Sequence, residues 1–564
     1  MAIGNLPEKP NILILLNDQQ SAAPEWLPAF EQSHLPTMQR LKKHGLTFNN
    51  MFTATCACSP SRATMLTSVY PTQNGVYKTL GLPNDSTLGR LGKDFEPHEL
   101  SPSQFNLGHM LRSAGYKVAW KGKWHLHDPI NGTQEWTPAD IEYMSKAYGF
   151  DGWDPPDAGN SLKISSTLGG GAGKNDIRYV EGEILAEQKA EWSSANDAIK
   201  FIENYNPEES PFFLTVSLVN PHDVWVAPNF DQQDGYDKET VPDYGLKRPE
   251  NADENLLKNF KPLVQYVFKK TFAQADKEII TPQVQNQYIN FYAYLETLAD
   301  RLMGKVLDAL DAKGLTDNTL IIRLADHGEM CFAHGLREKA YNAYENTMNV
   351  PLVISNPQLF PEAKSSNALA STLDLMPTLA KIVGVDQYYR YFKGCDLTPL
   401  FTQTEEKVRD WIHFTYDDGN LPDTFSRIPQ HIRAIRSHEW KYAVYFVPDG
   451  SAIEYEMYNL KNDPNENHNL AGLEEYAEQQ KILHEHLNTI MGEMETEPPT
   501  LPLLTIAMER GAFFPPEFWP SSETAVLQSQ MNRAVRSEYN GELTQKQLDN
   551  LVDNLQEKVW WTRR

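Results

Sequence analysis

The chain has 564 residues, a formal net charge of −24 at pH 7, and 22% charged against 40% hydrophobic residues. That length supports roughly two to four domains and a core large enough to need no covalent staples. The acidic balance argues against nucleic acid and anionic membrane as partners, and any site for an anion has to be positive locally.

Pro10 to Gln19 is a short apolar run ending in polar groups, the pattern of a parallel strand buried on both faces. Asp18 then falls at the strand's C-terminal end, where open α/β sheets place ligands. The run Ile12 to Leu16 is too short for a signal core or a membrane span, so a cytoplasmic location is expected. His34 to Gly45 reads as a short helix stopped by the glycine. Cys56 and Cys58, with Cys331 and Cys395, are too few for a disulfide scaffold and fit a reducing compartment. Cys58-Ser59-Pro60-Ser61-Arg62 precedes a helix-compatible run to Val69. It puts Cys58 and Arg62 at a helix N-terminus, where free N–H groups favour an anion.

Leu107 to Ala114 reads as a helix and Lys117 to Trp120 as a strand, followed by Lys121-Gly122-Lys123-Trp124-His125. Gly149 to Asp176 reads as a long loop; its glycine run lacks the ending of a phosphate loop. Ala195 to Tyr205 is predicted helical. Pro211 to Val219 is a second buried strand that delivers His222 to its C-terminal edge. Val224 to Pro282 reads as an irregular insertion whose Trp225, Tyr236 and Tyr244 either line a leaving-group pocket or pack as ordinary aromatics. Gln283 to Leu310 is a long amphipathic helix, and Asn318 to Leu324 a third strand ending in Asp326-His327-Gly328-Glu329. Lys339 follows in a loop, then strand Val350 to Ile354 and a helix capped by Asp374.

From about Trp411 the pattern becomes an antiparallel meander, with strands at His413 to Tyr416, His431 to Arg436 and Lys441 to Phe446. A helix near Glu474 to Met491 follows the turn at Asp463-Pro464. Pro498 to Trp519 is rich in proline and aromatics. The last helix carries Leu548, Leu551, Val552, Leu555 and Val559 on one face, either packed on the body or a subunit contact, which leaves a homo-oligomer open. The expected organisation is a domain over 1–405 with an insertion at about 224–282, an α+β subdomain over 406–495, and a tail over 496–564.

Four strands thus deliver Asp18, Lys123 with His125, His222, and Asp326 with His327 to one sheet edge, next to Cys58 and Arg62. This set, with C-x-P-x-R at Cys58 to Arg62 and G-K-x-H at Gly122 to His125, resembles the formylglycine-dependent sulfatases of the alkaline phosphatase superfamily. The resemblance runs from about Pro10 to Leu470. It implies an α/β fold: a large, mostly parallel sheet sandwiched by helices, with a smaller C-terminal α+β domain containing an antiparallel sheet. It also implies that a modifying enzyme oxidises Cys58 to formylglycine (3-oxoalanine), whose hydrate attacks a sulfate ester. Asp18, Asp326, His327 and the modified Cys58 would hold one divalent metal. Ca²⁺ is the family's usual choice, with Mn²⁺ or Mg²⁺ compatible with a nitrogen ligand. Lys123 and Lys339 would hold the sulfate, Arg62 would brace the hydrate, and His222 with Lys339 would protonate the leaving oxygen. His125 would take the proton that lets sulfate depart. Many members carry two aspartates where this chain has Asp18-Gln19, so Gln19 either offers an amide oxygen or orients a ligand. Related phosphonate monoester and phosphodiester hydrolases share these features and form the alternative reading.

Overall fold

A computed structural model describes residues 3–80, 99–131, 136–153, 155, 157, 174–182, 197–227, 236, 239, 241–275, 281–418, 427–498, 519–539 and 541–562. The first strand, β1 (Asn11–Asp18), is buried at all eight positions. Successive side chains of a strand face opposite sides of its sheet. Ile12, Ile14 and Leu16 accordingly enter one core with Ala63, Met65, Met376 and Leu379. Leu13 and Leu15 enter a second core with Leu302, Met303 and Val306. An unalternating apolar run is what a strand covered by helices on both faces requires.

Around β1 the chain builds β2 (Gly45–Phe52), β3 (Lys117–Gly122), β4 (Phe212–Pro221), β5 (Thr319–Ala325), β6 (Leu352–Ser355) and β7 (Lys364–Ser371). Their order is β3-β4-β1-β5-β6-β2-β7. The quartet β3-β4-β1-β5 is parallel throughout, so its four C-terminal ends lie along one edge. Only β6 runs against its neighbours β5 and β2. Helix Pro282–Ala312 covers one face; helices Cys58–Thr67 and Leu375–Val383 cover the other.

The second sheet is an antiparallel meander of β8 (Ile412–Tyr416), β9 (His431–Arg436), β10 (Trp440–Phe446) and β11 (Ile453–Asn459). One face packs on Leu263, Val264 and Val267, and on Leu548, Leu551, Val552 and Leu555 of helix Gln545–Thr562. The terminal helix is therefore packed on the body. The other face packs on Leu483, Leu487 and Met491 of helix Ala477–Met494. A bridge from Thr55 to Thr415 ties β8 to the segment leading into Cys58.

Several elements differ from the sequence reading. Gly45 does not stop a helix; the helix is Pro36–Lys43 and Gly45 opens β2. The strands β7 and β11 and helix Ser522–Arg536 were not expected. Lys364-Ser365-Ser366-Asn367 and Glu454 to Glu456 are too polar to read as strands, yet β7 is an edge strand and β11 buries its carboxylates against partners. The expected irregular insertion contains helix Leu263–Ala275, which belongs to the core of the second sheet. Tyr236 is buried on Asp223 and Asn220, and Tyr244 packs against Phe30 and His34, so both are packing residues. The glycine run at 169–173 and most of 498–519 lie outside the described residues. Among the described residues no helix is long and apolar enough to cross a membrane.

Candidate active site

The site forms where the parallel quartet ends. Asp18 closes β1, Lys123 and His125 follow β3, His222 follows β4, and Asp326 and His327 follow β5. Cys58 is the first residue of helix Cys58–Thr67, all of which is buried. Two glycines permit this convergence. A Cβ at Gly122, which has φ +97°, would lie 2.0 Å from the Ser217 carbonyl oxygen of β4. One at Gly328 would lie 2.0 Å from the Asn346 carbonyl oxygen. Only glycine lets the backbone turn this close.

Arg62 organises the centre. Its Nε donates to Asp326 Oδ2 at 2.9 Å and its Nη2 to Asp18 Oδ2 at 3.0 Å. Its Nη1 donates to the Lys123 carbonyl and to Ser217 Oγ. The guanidinium thus hydrogen-bonds both carboxylates. Lys123 Nζ lies 2.7 Å from Asp18 Oδ2. Both outer carboxylate oxygens are consumed by these cations, and the two Oδ1 atoms face inward. His327 Nε2 lies 3.6 Å from Asp18 Oδ1, 3.8 Å from Asp326 Oδ1 and 3.2 Å from Cys58 Sγ. Its Nδ1 is 3.1 Å from the Gly328 carbonyl, which can only accept, so Nδ1 carries a hydrogen and Nε2 is the nitrogen turned to the carboxylates.

One ligand atom from each of Asp18, Cys58, Asp326 and His327 lies within 4.8 Å of the others, and all four residues are buried. Two carboxylates and an imidazole whose far nitrogen is tied to a carbonyl fit a divalent cation.

The electrostatics follow from crowding. Burial and the Cys58 thiolate push Asp18 upward, but Lys123, His222 and Arg62 outweigh them and hold it well below the usual carboxylate range. Burial and Asp18 push Asp326 up: two carboxylates share the site. Burial disfavours the Cys58 thiolate, yet Lys123, Lys339 and His327 bring its pKa well down. Burial, Lys123 and Lys339 lower His222. His327 is raised to about 9, against burial, by Asp326 and Cys58; a cation bound there would reverse that balance.

Around this centre, Lys339 Nζ donates to Gln19 Oε1 and lies 3.1 Å from Glu338 Oε2. The Gln19 amide also donates to Glu329 Oε2 at 2.7 Å, and its backbone N–H donates to Asp326 Oδ1 at 3.1 Å. Gln19 therefore links a carboxylate of the cluster to Lys339. His125, with φ +61°, is held by Asp157, which accepts from the backbone N–H of Trp124 and of His125. Sequence reasoning missed Ser217, Asp157, Glu329 and Glu338. Glu329 and Glu338 flank segments already singled out, whereas Asp157 sits in a loop that gives no periodic signal.

Comparison with known proteins agrees with this arrangement. Residues 10–385 match the family model described as Sulfatase, and residues 333–493 match N-sulphoglucosamine sulphohydrolase, C-terminal. A choline-sulfatase of Rhizobium meliloti is 27% identical over 486 residues, covering 82% of each chain. An N-acetylglucosamine-6-O-sulfatase of Bacteroides thetaiotaomicron is 24% identical over 544 residues, covering 87% of this chain and 88% of its own. Among solved structures, a 2-O GAG sulfatase superposes with a TM-score of 0.66 at 19% identity, over 92% of this chain and 98% of that one. A phosphonate monoester hydrolase of Silicibacter pomeroyi superposes with a TM-score of 0.62 at 19% identity, over 87% and 96%. With the family model spanning two-thirds of its length and the same sheet edge carrying its polar residues, the chain belongs to the sulfatase family.

Proposed function

We propose that the protein hydrolyses a sulfate ester to an alcohol and inorganic sulfate, with Cys58, oxidised to formylglycine, supplying the nucleophilic hydroxyl. The observation that carries this reading is the inward-facing cluster of Asp18, Asp326, His327 and Cys58, with Arg62 and Lys123 on its outer oxygens. A divalent cation there, Ca²⁺ first and Mn²⁺ or Mg²⁺ as alternatives, would supply charge neutralisation and lower the pKa of the attacking hydroxyl. The four protein positions that would hold it are Asp18, Asp326, His327 and the modified Cys58.

The remaining side chains divide the work by charge. A sulfate monoester presents negative oxygens, so Lys123 and Lys339 bind and orient it. Arg62 fixes both carboxylates and thereby the direction of their inward oxygens. His222 gives its proton to the leaving oxygen; a sulfate beside it offsets the two lysines that depress its pKa in the free protein. His125 accepts the proton whose removal lets sulfate go. A modifying enzyme that makes formylglycine is the maturation partner.

Sulfatase relatives act, by their names, on choline, N-acetylglucosamine and aryl sulfates, so the ester proposed here is a small alkyl, sugar or aryl sulfate. The test is mass spectrometry of the Cys58 peptide after expression with the modifying enzyme, with rates on an aryl sulfate and an aryl phosphonate monoester. An aldehyde or its hydrate with a dominant sulfatase rate is expected. An unmodified thiol in fully active protein overturns the nucleophile, and a dominant phosphonate rate overturns the substrate class.

A further inference from the structure

His125 makes a hydrogen bond that leads out of the catalytic sheet. Its Nε2 lies 2.8 Å from the Leu80 carbonyl oxygen, an atom that can only accept. Nε2 therefore carries a hydrogen. Nδ1 is buried and has no hydrogen-bond partner. The ring belongs to the sheet edge that holds Cys58: His125 follows β3, and the Leu80 it touches donates from its own N–H to Ser59, the neighbour of Cys58. One nitrogen is thus tied down as a donor, and the other is buried with its lone pair unused.

What fixes Leu80 comes from two directions. Its N–H donates to Ser59 Oγ at 3.0 Å, one residue beyond Cys58. The preceding Thr79 donates to Asp418 Oδ2 twice, from N at 3.0 Å and from Oγ1 at 2.8 Å. Asp418 is buried and follows β8 of the second sheet by two residues. The second sheet thereby grips a two-residue strap whose carbonyl dictates which nitrogen of His125 bears the hydrogen.

We infer that Asp418 is a positioning residue that, through Thr79 and the Leu80 carbonyl, holds His125 as the Nε2–H tautomer with Nδ1 as the proton acceptor. The inference deepens the proposed reaction and rests on that reading for the role of the proton. In the release step, the O–H proton of the hydrate's free hydroxyl passes to Nδ1. That O–H electron pair becomes the carbonyl bond, and the carbon–oxygen bond to sulfate breaks with its electrons leaving on sulfate. The same hydrogen on Nε2, retained by Leu80, keeps the ring from turning away when Nδ1 gains its charge.

Two readouts test this. The first needs neither formylglycine nor substrate: nitrogen-15 NMR of histidine-labelled full chain, the His125 signals identified by their loss in His125→Gln. A pyridine-type Nδ1 and a pyrrole-type Nε2 are expected, and Asp418→Ala shifts both towards averaged values. The reverse tautomer, or no change in Asp418→Ala, overturns the inference while leaving the proposed reaction standing. The second is steady-state kinetics of the matured enzyme on an aryl sulfate. Asp418→Ala is expected to lower kcat about tenfold with kcat/KM within twofold, because only the step after sulfate transfer is slowed. Asp418→Asn, whose amide oxygen can still accept from Thr79, restores kcat. A fall confined to kcat/KM, or an Asn variant as impaired as Ala, overturns the inference. Thr79→Val, which removes only the hydroxyl bond, gives an intermediate loss and serves if Asp418→Ala does not fold; wild-type kcat in that variant also overturns it. A native enzyme with no turnover of any sulfate or phosphonate ester overturns the proposed reaction and the release role together.

Discussion

Two buried polar clusters in this molecule are built to opposite ends. At the edge of the first sheet, Asp18 and Asp326 each give one oxygen to Arg62 and turn the other inward, and a ring nitrogen of His125 and of His222 has no partner. Beneath the second sheet, Glu456 Oε1 accepts from the hydroxyls of Tyr344 and Tyr458, and Oε2 from that of Tyr445. Gln265 completes that shell, and the neighbouring Glu454 is met by Arg536 and the Leu263 N–H. A buried group without a partner costs stability, so an open cluster persists where something else is to bind. The closed cluster joins helices Leu263–Ala275 and Ser522–Arg536 to β11 and leaves its acceptors satisfied.

The largest effect that separates the two is Cys58→Ala. Turnover of an aryl sulfate falls to background while the thermal midpoint stays within a few degrees, measured by rates and calorimetry on the same sample. Retained turnover breaks the view that the first cluster is built for chemistry. Next is Arg62→Met, which strips the counter-ion from two buried carboxylates. Removing one partner of such a buried pair costs about 3–5 kcal/mol, read by denaturant unfolding, and activity is lost with it. A well-folded, active variant means that the carboxylates do not depend on Arg62.

Glu456→Gln sharpens the contrast from the other side. It keeps the shape, removes the charge, and is expected to cost about 1–2 kcal/mol with kcat unchanged. A fall in kcat at constant stability places the second cluster in the catalytic machinery after all. The smallest effect is a pH slope. His484, bonded to Tyr442 and the Pro520 carbonyl, is lowered by burial from 6.5 to about 4. As pH falls below about 6.5 the unfolded chain takes up the proton first, so stability drops until about pH 4. His484→Gln removes up to about 1.4 kcal/mol per pH unit of that slope and leaves turnover at pH 7 unchanged. An identical slope in the variant means the ring titrates alike in both states.

By itself the sequence determined the parts that rest on local pattern. The runs at Ile12 to Leu16, Phe212 to Val219 and Leu320 to Leu324 are apolar because a parallel strand is covered on both faces. A polar residue directly after such a run has to emerge at the strand's end, so Asp18, His222, Asp326 and His327 were legible before any coordinates. Cys58 at a helix start was legible for the same kind of reason: the apolar run after Pro60 has nowhere to go but into a buried helix. Only the tertiary structure decided how those groups share atoms. That Arg62 spends its fork on Asp18 and Asp326, that Gln19 reaches Lys339, and that Asp418 grips the strap behind His125 all depend on contacts across 44 to 339 positions. Hydrogen-bond direction and burial at such separations follow from how two sheets pack, and no period of two or 3.6 residues encodes that. The polar strand β11 shows the same limit: its carboxylates become core only because tyrosines and arginines arrive from elsewhere in the chain to meet them.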